Sequence, residues 1–238
     1  MAAKAKKAAA KKKRADSPPS AAAILRDLER NGSKQYFADM SARYGIVTKA
    51  KAYGVPVVTL RRMAKSIGRN HDLADALWRT GVHDARMLAT MIGDPALVTP
   101  ALMDRWAKDF DNWGIVDTAC FTLFDHSPHA FKQIAKWAEA KDEFVKRAAF
   151  ALIASAALHR KVLPDEPFLK CLPIIEIGAT DGRNFVKKGV SWGLRAIGKR
   201  KGVKMRAAAL AVARRLAASE DAPSRWVGKD ALRDLEKA

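Results

Sequence analysis

The chain has 238 residues and a formal net charge of +19, from 44 Lys and Arg against 25 Asp and Glu, so a polyanion is its natural partner. Apolar residues make up 49% and lean on Ala and Leu rather than on runs of Val, Ile and Thr, which favours packed helices over sheet. Two distant cysteines, Cys120 and Cys171, argue against a disulfide framework or zinc knuckle, and no apolar run approaches the roughly 18 to 20 residues that span a bilayer.

Residues 1 to 19 hold seven cations against Asp16, a net +6, so the rest of the chain still carries +13. This Lys/Ala run ending at Ser17-Pro-Pro has no apolar periodicity. It is expected to be a disordered tail, either simply solvated or a salt-dependent nucleic-acid-binding arm. With no apolar segment after those charges, the protein is expected to be unsecreted, cytoplasmic and nucleoid-associated, without a membrane partner.

From Ser20 to residue 238 the pattern predicts one helical domain. Ser20 caps a first helix that stops near Asn31-Gly32, and Pro56 opens another that carries Leu60, Met63, Ala64 and Ile67 before Gly68. Further helices are predicted at 71–80, 83–92, 99–110, 112–124, 128–139, 142–158, 165–177, 182–199, 202–218 and 228–236, joined by short links. The alternation at Ile46-Val47 is too brief to count as a strand.

Within this series Phe144-Val-Lys-Arg147-Ala-Ala-Phe-Ala-Leu152 nearly repeats 41 residues later as Phe185-Val-Lys-Lys188-Gly-Val-Ser-Trp192-Gly-Leu194. That period belongs to HEAT or armadillo solenoids, in which each helix pair buries its apolar face only against its neighbours. In the first copy Val145, Ala148, Ala149, Leu152, Ile153 and Ala156 form an apolar stripe, and Arg147 is expected about 160° from its middle, on the solvent side. The second copy buries Val186, Val190, Leu194 and Ile197, while Phe185, Lys188, Trp192, Arg195 and Lys199 share another face, with Lys187 beside it. Aromatics interleaved with cations suit a phosphate backbone with unstacked bases, although Trp192 would also serve to pack against the next helix pair.

Trp113 and Asp117 stand four residues apart and so stack on one side of their helix. A carboxylate there admits two readings, a functional group or a structural partner of Arg147. His126-Ser-Pro-His129 reads as a surface loop rather than a metal site, and Asp104, Asp109 and Asp111 as solvated. Gly189 and Gly193 imply close helix approach, since no phosphate-loop pattern is present.

Asn112-Trp-Gly-Ile-Val-Asp117, Lys146-Arg-Ala-Ala149 and the Phe185 to Arg195 segment resemble, in order and spacing, the HEAT-like bacterial DNA alkylation repair enzymes of the AlkD type. The likeness extends loosely over residues 35 to 235. It implies an all-α solenoid with a basic concave face on which Trp113, Asp117, Arg147 and Trp192 meet DNA. The implied reaction is hydrolysis of the N-glycosidic bond of N3- or N7-alkylated purines without rotating the base into a deep pocket, with no metal and no cofactor. Asp117 would stabilise the cationic sugar and place water, Trp113 and Trp192 would hold the cationic nucleoside, and Arg147 would grip a phosphate. One departure is Asn184-Phe185, where the characterised branch has an aromatic pair, so lesion preference does not carry over.

Two functions follow: a monomeric glycosylase acting on alkylated duplex DNA, or a non-catalytic scaffold that recognises damaged or distorted DNA. A helical protein–protein adaptor accommodates +19 only with an acidic partner.

Overall fold

The computed structural model describes residues 19–237, which contain helices and no strand. The expected tail, residues 1 to 19, lies outside the described residues except for Pro19. The helices are α1 (Ala21–Asn31), α2 (Lys34–Tyr44), α3 (Val57–Ile67), α4 (His71–Arg79), α5 (His83–Ile92), α6 (Pro100–Ala107), α7 (Trp113–Thr122), α8 (Ala130–Ala138), α9 (Glu143–His159), α10 (Glu166–Leu169), α11 (Cys171–Gly178), α12 (Asn184–Gly198), α13 (Val203–Ala217) and α14 (Ala222–Leu235). Among the described residues no helix is long and apolar enough to cross a membrane.

Side-chain caps set half of the helix starts. Ser20, Asn70, Thr99, Asn112, Asp142 and Asp221 each accept a hydrogen bond from a backbone N–H of the first helical turn. Helix α2 was not expected, because it buries no residue and therefore leaves no apolar stripe; Ser33 caps it, and Gly45 ends it at φ 62°. The segment expected as one helix over 165–177 breaks at Lys170 into α10 and α11, and the last helix begins at Ala222 rather than at 228, where Asp221 caps it and Pro223 fits its first turn.

Two rows build the stack. Helices α5, α7, α9, α12 and α14 pack successively, each against the next, while α4, α8, α11 and α13 back them. The two repeats seen in the sequence are the starts of α9 and α12, which share the most extensive helix–helix contact among the described residues. Gly189 and Gly193 make this approach possible: a Cβ at 189 would lie 3.5 Å from Arg147 Cγ, and one at 193 would lie 3.3 Å from the Phe150 carbonyl oxygen. Enclosed by α7, α8 and α12, helix α9 is buried on all sides from Arg147 to Ala157. The single stripe expected for it is thus corrected, and Arg147 does not face solvent.

Asp104, Asp109 and Asp111 are not free solvated carboxylates either. Asp104 accepts from Gln133, Lys136 and Trp137 Nε1; Asp109 accepts from Trp78 Nε1 and pairs with Arg86; Asp111 accepts from Thr48 Oγ1 and the Lys49 N–H. Asp75 repeats the device with Trp106 and Arg105. The bonds of Asp75, Asp104 and Asp109 link segments about thirty residues apart in sequence and satisfy the indole N–H groups of Trp78, Trp106 and Trp137, whose rings are otherwise buried. Trp78 and Trp106 stack with centroids 4.1 Å apart.

The α13–α14 contact depends on Gly228, where a Cβ would sit 2.2 Å from the Ala217 backbone nitrogen. Because backbone cannot step aside cheaply, Gly228→Ala is expected to lower stability by about 3 kcal/mol. In a chain of this size that is a fall of about 6 to 12 °C in melting temperature, read by circular dichroism.

Candidate nucleic-acid interface

Asn112 caps α7 and aims Trp113 and Asp117 at the face that α9 and α12 complete. Both Asp117 oxygens accept from Arg147, at 2.9 Å from Nε and 2.7 Å from Nη2, and Arg147 Nη1 donates to the Phe185 carbonyl at 2.7 Å. The guanidinium therefore joins α7, α9 and α12. Arg147 is only 6% exposed, which corrects its expected placement as a projecting phosphate grip. The Asp117 side chain remains 20% exposed. Burial pushes its carboxyl above the usual carboxylate range, with the charge and hydrogen bonds of Arg147 opposing.

The Arg147–Asp117 pair separates two clefts. The first, about 340 Å³, is lined by Arg43, Tyr44, Trp113, Arg147, Phe185 and Lys188. The second, about 300 Å³, is lined by Asp117, Arg147, Lys188, Trp192, Arg195, Trp226 and Asp230. Trp113 and Asp117, four residues apart on one helix, thus line adjacent clefts rather than one. Trp113 is held by its indole N–H donating to the Tyr44 carbonyl at 2.9 Å, and the Arg147 guanidinium lies 6.0 Å from its ring centroid.

The expected DNA-binding residues divide by how committed they are. Lys188 is exposed, borders both clefts and has no ion pair among the described residues. Arg195 lies within 3.8 Å of both Asp230 and Asp234, and Lys199 is 2.7 Å from Asp234, so each is engaged in an ion-pair network. Lys187 turns onto the Trp226 ring, 5.0 Å from its centroid, and Phe185 packs on Phe144 at 5.4 Å. Trp192 is half-buried: it packs against the core and still lines the second cleft.

Four lining residues were not anticipated. Arg43 and Tyr44 come from α2, the helix without an apolar signature. Trp226 and Asp230 come from α14, and here a signal exists, because Trp226-Val-Gly-Lys-Asp230 repeats the four-residue spacing of Trp113 and Asp117. Trp226 is 37% exposed, unusual for an indole, and lines the second cleft together with Trp192; Asp230 accepts from Ser191 at 2.6 Å.

Other reactive groups are elsewhere. Cys120 on α7 is buried, and burial followed by the charges of Asp117 and Asp125 pushes its thiol well above the ordinary range, so it is no nucleophile. His126 does not sit in an isolated loop with His129: the buried Asp125 carboxylate bridges His126 Nδ1 at 2.7 Å and His159 Nδ1 at 2.5 Å, pinning the 3₁₀ turn Phe124–His126 to the end of α9. This trio offers three potential ligand atoms within 4.8 Å of one another, with both Nδ1 atoms turned to the carboxylate.

The profile of the DNA alkylation repair enzymes matches this chain over residues 24–235. The chain belongs to that family. A solved structure from "a new family of proteins related to the HEAT-like repeat DNA glycosylases with affinity for branched DNA structures" superposes with a TM-score of 0.72 at 19% identity, covering 90% of this chain and 95% of that one. That likeness establishes the HEAT-like fold. Among curated proteins there is no match.

Proposed function

We propose that this repair-family protein is a DNA glycosylase that hydrolyses the N-glycosidic bond of cationic N3- or N7-alkylated purines in duplex DNA. The observation that carries this reading is the Asp117 carboxylate, partly open to a cleft bordered also by Arg147, Lys188, Arg195, Trp192, Trp226 and Asp230, the last of which is engaged by Ser191 and lies within 3.8 Å of Arg195. A site built only to hold phosphates gains nothing from a carboxylate at that position.

The chemistry fits the residues. An alkylated purine carries positive charge and leaves as a neutral base, so no general acid is required, and the barrier lies in the cationic sugar and the incoming water. Each Asp117 oxygen accepts one Arg147 N–H, which leaves further lone pairs to face the sugar or to orient water. At about 4 Å and an effective dielectric near 20, a full carboxylate would lower that barrier by about 4 kcal/mol. The Arg147 guanidinium behind it, at roughly twice the distance, returns about half. The remaining 2 kcal/mol together with a placed water amounts to about 10² in rate. Trp192 and Trp226, which line the same cleft, supply faces for a cationic or unstacked base, at about 0.5 to 2 kcal/mol for each cation–π contact, with one face of Trp226 already held by Lys187.

The ionised form of Asp117 is the working form, and burial raises its pKa. Base release corrected for spontaneous depurination should therefore fall with acidification from above the ordinary carboxylate range, and Arg147→Met, which removes the opposing charge, should move that limb to still higher pH. A rate independent of pH through this window would remove Asp117 from the chemistry.

A second reading is favoured by the same pair: Arg147 occupies both carboxylate oxygens, as in a purely structural bridge, and the fold neighbour is described by its affinity for branched DNA. On that reading the clefts bind distorted DNA and no base is released.

A further inference from the structure

We infer that the chain carries a second phosphate-binding site, distinct from the two clefts, at the C-terminal ends of α9 and α12, where it holds the backbone of the same nucleic acid. A cavity of about 320 Å³ there is bordered by Lys161, Lys199, Arg200 and Lys201, with Asp165 as its single acidic lining residue. Arg200 is its built element. The side chain is only 5% exposed, and its guanidinium lies 3.8 Å from the Phe168 ring centroid. Nη1 donates to the Ala157 and Arg160 carbonyls, and Nη2 donates to the Leu163 carbonyl at 2.8 Å.

The Nε–H, by contrast, is buried without a hydrogen-bond partner, and the nearest Asp165 oxygen is 3.8 Å away. Buried guanidinium donors are rarely left unmet, and an anionic oxygen entering the cavity would meet this one. Lys161 and Lys201 stand exposed at the rim without an ion pair among the described residues. With Lys199 paired to Asp234, the other three cations, Lys161, Arg200 and Lys201, face the single lining carboxylate Asp165, a surplus that selects a multiply charged anion such as a phosphodiester run.

Position argues for nucleic acid. Leu158, in the cavity wall, and Lys199 lie eleven residues beyond Arg147 and Lys188 respectively. Eleven residues is close to three helical turns, so the cavity opens on the same face about 16 Å along the helices. At 3.4 Å per base pair that spacing is about five base pairs, within one continuous DNA contact.

The inference rests on the reading that the chain binds DNA, not on its releasing bases. The test is Lys161→Glu combined with Lys201→Glu in the full chain, against Lys108→Glu combined with Lys132→Glu, which makes the same charge change at exposed positions that line neither the clefts nor this cavity. Duplex affinity is measured by fluorescence anisotropy from 50 to 200 mM salt. The Lys161/Lys201 variant should lose at least tenfold in affinity at 100 mM salt, and its slope of log K against log[salt] should fall by about 2, while the control changes the slope by less than half as much. Equal changes in both variants, or none, would overturn the site. In a second arm, inorganic phosphate is titrated at constant ionic strength: a rise in wild-type melting temperature that Lys161→Glu/Lys201→Glu lacks, with the DNA slope unaltered, assigns the pocket to free phosphate and overturns the nucleic-acid assignment. Absence of base release from the wild type would defeat the glycosylase reading and leave the slope comparison intact.

Discussion

Asp117→Asn is expected to lower single-turnover base release per folded molecule by about 10², with duplex affinity altered less than about threefold. The amide keeps the shape and one acceptor for Arg147 but removes the negative charge that faces the developing sugar cation. The substitution also leaves Arg147 buried without its counter-ion, so some stability is lost, and the rate must be normalised to the folded fraction. A purely structural carboxylate predicts the opposite pattern: a lower melting temperature and a normalised rate that does not move.

Arg147→Ala carries the largest expected effect on stability, about 3 to 5 kcal/mol, because it strands the half-buried Asp117 carboxylate and the Phe185 carbonyl at the junction of α7, α9 and α12. In a chain of this size that is a fall of about 6 to 20 °C in melting temperature. The deficit has a sign with pH. Burial already raises the Asp117 pKa and Arg147 opposes it, so without Arg147 the folded-state pKa rises further above the unfolded value. The folded state then binds more protons, and the deficit grows as pH rises through the interval between the two values and shrinks towards acid. Arg147→Lys, which keeps the charge but not the bidentate geometry, should recover part of the loss. A melting temperature within 2 °C of wild type for Arg147→Ala would show that the bridge does not hold the three helices together.

How much of this was legible in the sequence depended on whether a residue's surroundings lie on its own helix. The repeat at Phe144 and Phe185 fixed α9 and α12 because each carries its apolar pattern within one turn series, and Gly189 and Gly193 correctly marked the close approach. Arg147 misled for the same reason. Opposite the stripe of an isolated helix it faces solvent, and only the arrival of α12, forty residues away, covers it. Asp104 and Asp109 likewise look solvated until the indoles that they bind, about thirty residues away, are placed beside them, and Asp111 until Thr48 and Lys49 are. Helix α2 buries nothing and so left no periodic trace, yet it delivers Arg43 and Tyr44 to the first cleft. The Trp226–Asp230 spacing was visible, but without the fold nothing brings α14 next to Trp192.

Whether the wild-type chain breaks a glycosidic bond decides between an enzyme and a recogniser of DNA. Methylated duplex is incubated with saturating full-length protein at neutral pH, and free base is separated and quantified alongside alkali-labile abasic sites in the DNA. A glycosylase releases free 3-methyladenine or 7-methylguanine in equal amount to new abasic sites, well above spontaneous loss, and this is the expected result. Complete binding of the duplex with every methylated base still attached would contradict it and leave the protein a recogniser of damaged or branched DNA.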